Sequence, residues 1–347
     1  MLAQVVDVLS QEVKNIPGTD TSTTYQEIKI IILSGPEKGE KVTVENDYLK
    51  LEEGEKFYVT HYTSALDGTD YYQVSEPYRL PWLWALGALF LLTVGVFGGR
   101  QGLRGLVSLV GSLLLVFFVL FPAIIAGYSP VLVSIGVALV ITTVGSYVTH
   151  GFTRTTTAAV VGMGVTILAT GALAFFSVHG AHLSGFTNEE TVYLNFNTRG
   201  TLDLVGLVLG GILIGLLGVL YDAAIGQAVA VDELYRAAPE STRKRVYTRA
   251  LRIGREHIGA LVNTLAIAYV GAALPLLLLF YQSAGESIAI IANRELFATE
   301  IIRTIVGSIG IVLAVPVTTF ISVLFLHGHP SHREDAGELP HIHTHAH

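Results

Sequence analysis

The sequence predicts a membrane all-α bundle of about seven transmembrane helices carrying a small N-terminal β domain of the OB or SH3-like barrel type. Three observations predict it. Of 347 residues, 51% are hydrophobic and only 14% are charged, where a soluble globular chain carries roughly 25% charged residues. The charges are segregated: residues 1–80 hold seven Lys/Arg and fourteen Asp/Glu, whereas 80–99, 105–153 and 155–188 hold none. Uncharged apolar runs of about 18 residues or more are long enough to cross a bilayer. The net charge of −7 resides in the N-terminal segment, and nothing in its pattern resembles a nucleic-acid footprint. The absence of cysteine excludes disulfides, thiolate metal ligands and thiol catalysis.

Residues 1–80 form the first expected domain. Val5 to Leu9, Tyr25 to Leu33, Lys41 to Val44, Lys56 to His61 and Tyr71 to Val74 are short runs rich in β-branched and aromatic residues. Turn chemistry bounds each of them: Pro17-Gly18, Ser34-Gly35-Pro36, Glu53-Gly54 and Asp67-Gly68. Five short strands in so few residues predict a compact barrel.

Residues 81–326 form the second. Spans are predicted near 81–98, 105–125, 130–149, 157–178, 203–221, 258–281 and 303–326. The uncharged stretch 105–153 is too long for one helix, and Gly127-Tyr128-Ser129-Pro130 divides it. Trp82 and Trp84 sit where an interfacial aromatic belt belongs. Loops joining odd to even spans carry ten Lys/Arg (Arg100, Arg104, Arg154, Arg236, Arg243, Lys244, Arg245, Arg249, Arg252 and Arg255), against two (Arg199 and Arg294) in the alternate loops. Positive charge marks the cytoplasmic side, so the head is expected outside and the C-terminus inside the plasma membrane. Met1-Leu2-Ala3-Gln4 has neither the basic nor the apolar region of a signal peptide. Export of the head is therefore expected to need an upstream anchor helix, or a first span that carries its own N-terminus across.

Ionisable groups inside spans are costly and mark functional sites or tight packing. Asp222, Gly226 and Ala230 stack on one helical face at the end of span 5, with Gln227 and Glu233 close by. This pattern admits two readings: a proton or ion relay at the cytoplasmic mouth, or a helix leaving the bilayer through ordinary interfacial polar residues. In span 6, Asn263 and Thr264 can hydrogen-bond across helices and Pro275 frees a carbonyl; a substrate-facing role competes with packing and a kink. Ahead of span 7, Glu300 and Arg303 stand at i and i+3 and can pair. Gly307, Ser308, Gly310 and Pro316 within it predict close helix approach and a break. A relay at Asp222 would have Gln227 orient the carboxylate and Glu300 with Arg303 latch the outer end of span 7.

Seven of twelve histidines follow span 7: His327, His329, His332, His341, His343, His345 and His347. The segment 327–347 reads as a disordered cytoplasmic tail with either adventitious or functional metal affinity. His179 and His182 have i, i+3 spacing with Glu189 and Glu190 near, too little for a metal site. There is no G-x-x-x-x-G-K-[ST], H-E-x-x-H or G-x-S-x-G pattern, so neither a cofactor nor an enzymatic centre is expected.

Asp222 to Leu234, Ile253 to Ile258, Asn263-Thr264-Leu265 with Ala268-Tyr269 and Leu274-Pro275, Glu300 to Arg303, Gly307 to Gly310 and Val315 to Thr318 resemble the YibE/F family of bacterial membrane proteins. The likeness extends over the membrane region and the head. It implies a permease-like protein with no assigned activity and an anchor helix ahead of the head. The order of the last three spans is more distantly similar to SecF-type proton-driven Sec accessory proteins. The leading functional expectation is an ion- or proton-coupled permease of ions or a small solute. The alternative is an assembly or translocation accessory factor whose head binds an exported protein.

Overall fold

The computed structural model describes residues 1–15, 21–64, 68–282 and 285–328. The turn expected at Pro17-Gly18, Asp67, and the histidines from His329 onward lie outside the described residues. The chain divides into two compact units, Met1–Gly98 and Gly99–His347.

In the first unit, β1 (Leu2–Asn15), β2 (Ser22–Ile32), β3 (Lys41–Asn46), β4 (Lys56–Thr63) and β5 (Asp70–Pro77) form one antiparallel sheet in the order β3-β2-β1-β4-β5. Alternation sets its inner face: Ile28, Ile30 and Ile32 are all buried at two-residue spacing. Ile28 and Ile30 pack with Ala3, Val5, Val44, Leu51, Phe57, Val59 and Val74. The strands run longer than predicted. Beyond Gln4, β1 pairs only with β2 among the described residues, so its distal half is a two-stranded ribbon with no alternating burial to betray it. Irregularities between Val5 and Asp7 and between Val8 and Ser10 twist the free side. The 47–55 connection is fixed by the buried Gln26 amide, which donates to Leu51 O and accepts from Leu51 N, both at 2.8 Å.

Apolar helices make up the rest. After α1 (Leu80–Leu115) come a π-helical turn at Val116–Leu120 and α2 (Phe121–Ile125). Then follow α3 (Pro130–His150), α4 (Arg154–Gly180), α5 (Glu189–Asn197) and α6 (Leu204–Ala237). The last four are α7 (Arg243–Ala272), α8 (Leu274–Gln282), α9 (Ile288–Asn293) and α10 (Glu295–Leu326). Among the described residues five helical segments are long and apolar enough to cross a membrane, or six if α7 and α8, bent by 71°, count as one. This is a multi-pass membrane protein.

Four expected spans change shape. The first two share the 46-residue apolar segment Leu80–Ile125, interrupted where Gly99 takes φ 52°, ψ −145°. The fifth continues to Ala237, and the sixth begins at Arg243 inside the basic connector, with Thr242 as its N-cap. The sixth then breaks at Ala273, ahead of Pro275, whose missing N–H cannot close the helical ladder.

The core of the second unit is built by α3, α4, α6 and α10 around Met163, Ile167, Leu209, Ile212, Leu216 and Leu220. Small residues bring the backbones close. A Cβ on Gly162 would lie 3.0 Å from Thr318 Cα, and one on Gly310 would lie 2.7 Å from Thr170 Oγ1. Span hydroxyls largely bond backward along their own helix: Thr142 to Ala138 O, Ser146 to Thr142 O, Thr166 to Gly162 O, Thr304 to Glu300 O and Thr319 to Val315 O, at 2.6–2.9 Å.

Candidate functional site

Polar side chains within the helices collect at two levels. Depth follows from the pairing of α3 with α6: Gly206 lies against Pro130 and Gly210 against Ser134, so the two helices run in step. Asp222 is then level with Ser146, one turn or about 6 Å short of the end of α3 at His150. The carboxylate is exposed on the surface of α6, on the face shared with Gly226. A Cβ on Gly226 would meet nothing within 4 Å, so no helix approaches this small-residue face closely among the described residues.

That approach occurs instead at Gly254 of α7. A Cβ there would strike the Val315 side chain of α10 and come within 2.7 Å of Gln227 Oε1. Gln227 lies about 140° around the helix from Asp222. It is buried and donates Nε2–H to Ala250 O at 2.7 Å. Gln227 therefore ties α6 to the α7 backbone rather than orienting Asp222. Asn263 and Thr264 are exposed on α7, and the Thr264 hydroxyl donates to Ala260 O at 2.9 Å. Glu233 is exposed at the end of α6, 4.0 Å from Arg236, whose Nε stands 3.2 Å from Asp232.

The second level lies beside the α7–α8 break. Glu300 Oε1 accepts from Arg303 Nη1 at 2.7 Å, with each side chain only about a quarter exposed (27% and 26%). Helical i, i+3 spacing produces this pair, as expected. Tyr269 of α7 extends its hydroxyl to Gly215 of α6, where a Cβ would stand 2.9 Å away. That hydroxyl and Arg303 Nε are buried without a hydrogen-bond partner among the described residues. So are Thr170 Oγ1, Thr299 Oγ1, Thr318 Oγ1 and Ser322 Oγ. Gly307 is close-packed, with a Cβ position 3.1 Å from Leu265, and Ser308 is half-buried beside it. Pro316 sits inside α10, which stays helical through it, so the break expected there does not occur.

Outside these levels, Glu295 at the start of α10 accepts from Ser184 N (2.8 Å), Ser184 Oγ (2.6 Å) and Gly185 N (2.6 Å), tethering the loop after α4. His179 Nδ1 stands 2.9 Å from Phe175 O, and His182 adopts a left-handed φ of 52°. Among the described residues, no three His, Asp or Glu side chains converge as a metal site.

A model of the YibE/F-like protein family matches residues 86–328. The chain belongs to this family. No curated protein and no solved structure matches it. The YibE/F-like region holds all of the residues above, while the β head precedes it. The sequence likeness to SecF-type proteins has no counterpart among these matches.

Sequence reasoning missed three positions in this YibE/F-like chain. Gly254 lay in a stretch read as a basic connector. Glu295 lay ahead of the expected start of span 7. Tyr269 enters the sequence reading as part of span 6 and of the family resemblance but with no role assigned; a phenol inside an apolar helix, four residues before a break, is the available signal. The head carries its own polar cluster: His61 Nδ1 is 3.1 Å from Glu37 Oε1 and Nε2 is 3.0 Å from Asp70 Oδ1. Tyr72 stacks on the ring at 4.8 Å and donates to Glu37 Oε2 at 2.8 Å. Burial and the Glu37 carboxylate push the Tyr72 phenol up to about 12. Hydrogen bonds from Thr63 and His61 hold the Asp70 carboxyl below its ordinary range.

Proposed function

We propose that this YibE/F-like protein is an ion- or proton-coupled permease of the bacterial plasma membrane. The observation that carries this reading is the half-buried Glu300–Arg303 pair beside a transmembrane helix broken by 71°. Charged pairs and broken helices in the membrane are expensive, and transporters use both to hold and release solutes at mid-depth. The unsatisfied Tyr269, Thr170 and Thr299 hydroxyls supply hydrogen-bonding capacity that packing alone does not consume. Counting Leu80–Ile125 as two crossings at Gly99 and α7–α8 as one gives seven, with the head outside and the C-terminus inside. The β head reads as an OB-like barrel, because β1 lies between β2 and β4 with β3 and β5 at the sheet margins. Asp222, one turn inside the end of α3, is the proposed inner titrating group.

Reconstitution into proteoliposomes tests this. A panel of monovalent and divalent metal ions, inorganic anions and small metabolites should yield gradient-dependent flux of at least one class. Glu300→Gln should abolish that flux in a folded, inserted protein, and Asp222→Asn should remove its pH dependence. If none of the panel moves, and the head captures an exported protein, the accessory-factor reading replaces this one. If Asp222→Asn transports normally across pH, the relay role of Asp222 is wrong.

A further inference from the structure

The helix break has a second product. Between α7, α8 and α10 lies a cavity of about 370 Å³, walled by Leu276, Leu277, Phe280, Phe297 and Ile305. Glu300 supplies the acidic group of its wall, and Tyr269 and Thr304 complete that side. Ile301 and Ile305 flank it on α10 and are 44% and 53% exposed. In a membrane-spanning helix such exposure faces hydrocarbon, so the cavity is reached sideways from the bilayer rather than from water.

We propose that this cavity binds one chain of a membrane amphiphile, with the chain against the Leu276, Leu277 and Phe280 wall and its oxygen-bearing end beside Glu300, Tyr269 and Thr304. Wall chemistry selects the chain, because an aqueous solute would find no partner along it and burying apolar surface is the main gain available. The polar end is placed by the side of the lining that carries Glu300, Tyr269 and Thr304, since a hydroxyl or carboxyl oxygen there keeps hydrogen-bonding partners that the apolar wall cannot offer. The inference goes beyond the permease reading: the site exists whether or not a solute is moved, and whether the amphiphile is cargo or a fixed constituent.

The test uses the full chain in lipid nanodiscs with two probes, a diazirine-bearing fatty acid and a phosphatidylglycerol carrying the same diazirine chain. Cross-linked residues are mapped by mass spectrometry. Labelling should concentrate on Leu276, Leu277 and Phe280 by about tenfold over Ile309 and Val312, which face outward on α10 away from the cavity. Excess unlabelled fatty acid should suppress labelling in the cavity and not at Ile309. Ala273→Phe, which fills the cavity, should reduce cavity labelling by about tenfold at unchanged labelling elsewhere. Labelling by the free acid alone identifies a single-chain ligand, and labelling by both probes identifies a diacyl lipid; either supports the site. Uniform labelling along all outward-facing residues, or labelling in wild-type protein that competitor does not suppress, reveals annular lipid only and overturns the proposal. The competition arm uses wild-type protein, so it decides the question even where Ala273→Phe fails to fold.

Discussion

Gly254→Ala is the sharpest available test of the packing between α6, α7 and α10. Adding one methyl group places Cβ against the Val315 γ-methyl and 2.7 Å from Gln227 Oε1. Neither neighbour can withdraw cheaply. Val315 is β-branched and restricted in its rotamer, and the Gln227 side chain is held by its 2.7 Å bond to Ala250 O. Overpacking of this kind costs about 1–3 kcal/mol. Turning Gln227 away would leave a buried amide unsatisfied, at about 1–3 kcal/mol more. A combined loss of about 2–6 kcal/mol corresponds to a melting shift of about 4–24 °C for a unit of this size. Gly226→Ala is the matched control, since it adds the same methyl one residue from Gln227 but into open space, and gains about 1 kcal/mol of helix propensity. Fluorescence-detected size-exclusion thermostability in detergent reads both. In a Gln227→Ala background the cost of Gly254→Ala should shrink, because one of its two obstacles is gone. A Gly254→Ala protein that melts with wild type, or a Gly226→Ala protein that is the less stable of the two, would refute the assigned helix faces.

Glu295→Ala removes three hydrogen bonds to Ser184 and Gly185. It should cost about 1–2 kcal/mol locally and raise protease cleavage between 181 and 188, without changing cleavage elsewhere. Gly99→Ala forces a side chain into φ 52°, ψ −145°, a region nearly reserved for glycine, and should lower thermostability by about 1–3 kcal/mol. In the head, the Asp70 carboxyl is held below its ordinary range, chiefly by Thr63 and then by the His61 ring. Its stabilising contribution is complete above the unfolded aspartate value of about 4 and is lost as pH falls through the lower folded value. Pepsin cleavage of the β4–β5 hairpin in the full chain should therefore rise as the pH falls below the unfolded aspartate value of about 4. Asp70→Asn should flatten that rise; an unchanged profile would mean the contact is energetically silent.

The five strands were legible because Gly, Pro and Asp punctuate runs of β-branched and aromatic residues, and alternation at Ile28, Ile30 and Ile32 marks a buried face. Their true lengths were not, since the distal half of β1 is exposed on both faces and carries no periodic signal. The apolar spans were legible from uninterrupted hydropathy. Their continuation as helix through Asp232 to Ala237, and back to Arg243, was invisible because charged residues outside the bilayer are equally at home in helix and loop. The Glu300–Arg303 pair was legible too, since i, i+3 geometry belongs to one helix. The contact between Gln227 and Gly254 was not: periodicity gives which residues share a face, but not which neighbour that face meets. Small residues at Gly226 and Gly254 look alike in sequence, and only the packing of α10 distinguishes them.

The backward hydroxyl bonds of Thr142, Ser146, Thr166, Thr304 and Thr319 bear on the order in which the protein is made. Each of these groups satisfies itself against a carbonyl four residues earlier, within its own helix, so its polarity is cancelled before any neighbour arrives. A span can thus leave the insertion machinery for the lipid singly, without waiting for a later segment to mask it. Thr170, Thr299, Thr318 and Ser322 lack that internal partner and belong to α4 and α10. These two helices are separated by more than a hundred residues of chain yet pack against each other through Gly162 and Gly310. Their hydroxyls find no acceptor even when the two helices meet, so the polarity these spans carry into the lipid is not cancelled by packing among the described residues. α4 and α10 should therefore gain in membrane insertion when Thr170 and Thr318 are replaced by Val, whereas the same change at Thr142 or Thr166 should matter less, which a single-span insertion assay would measure.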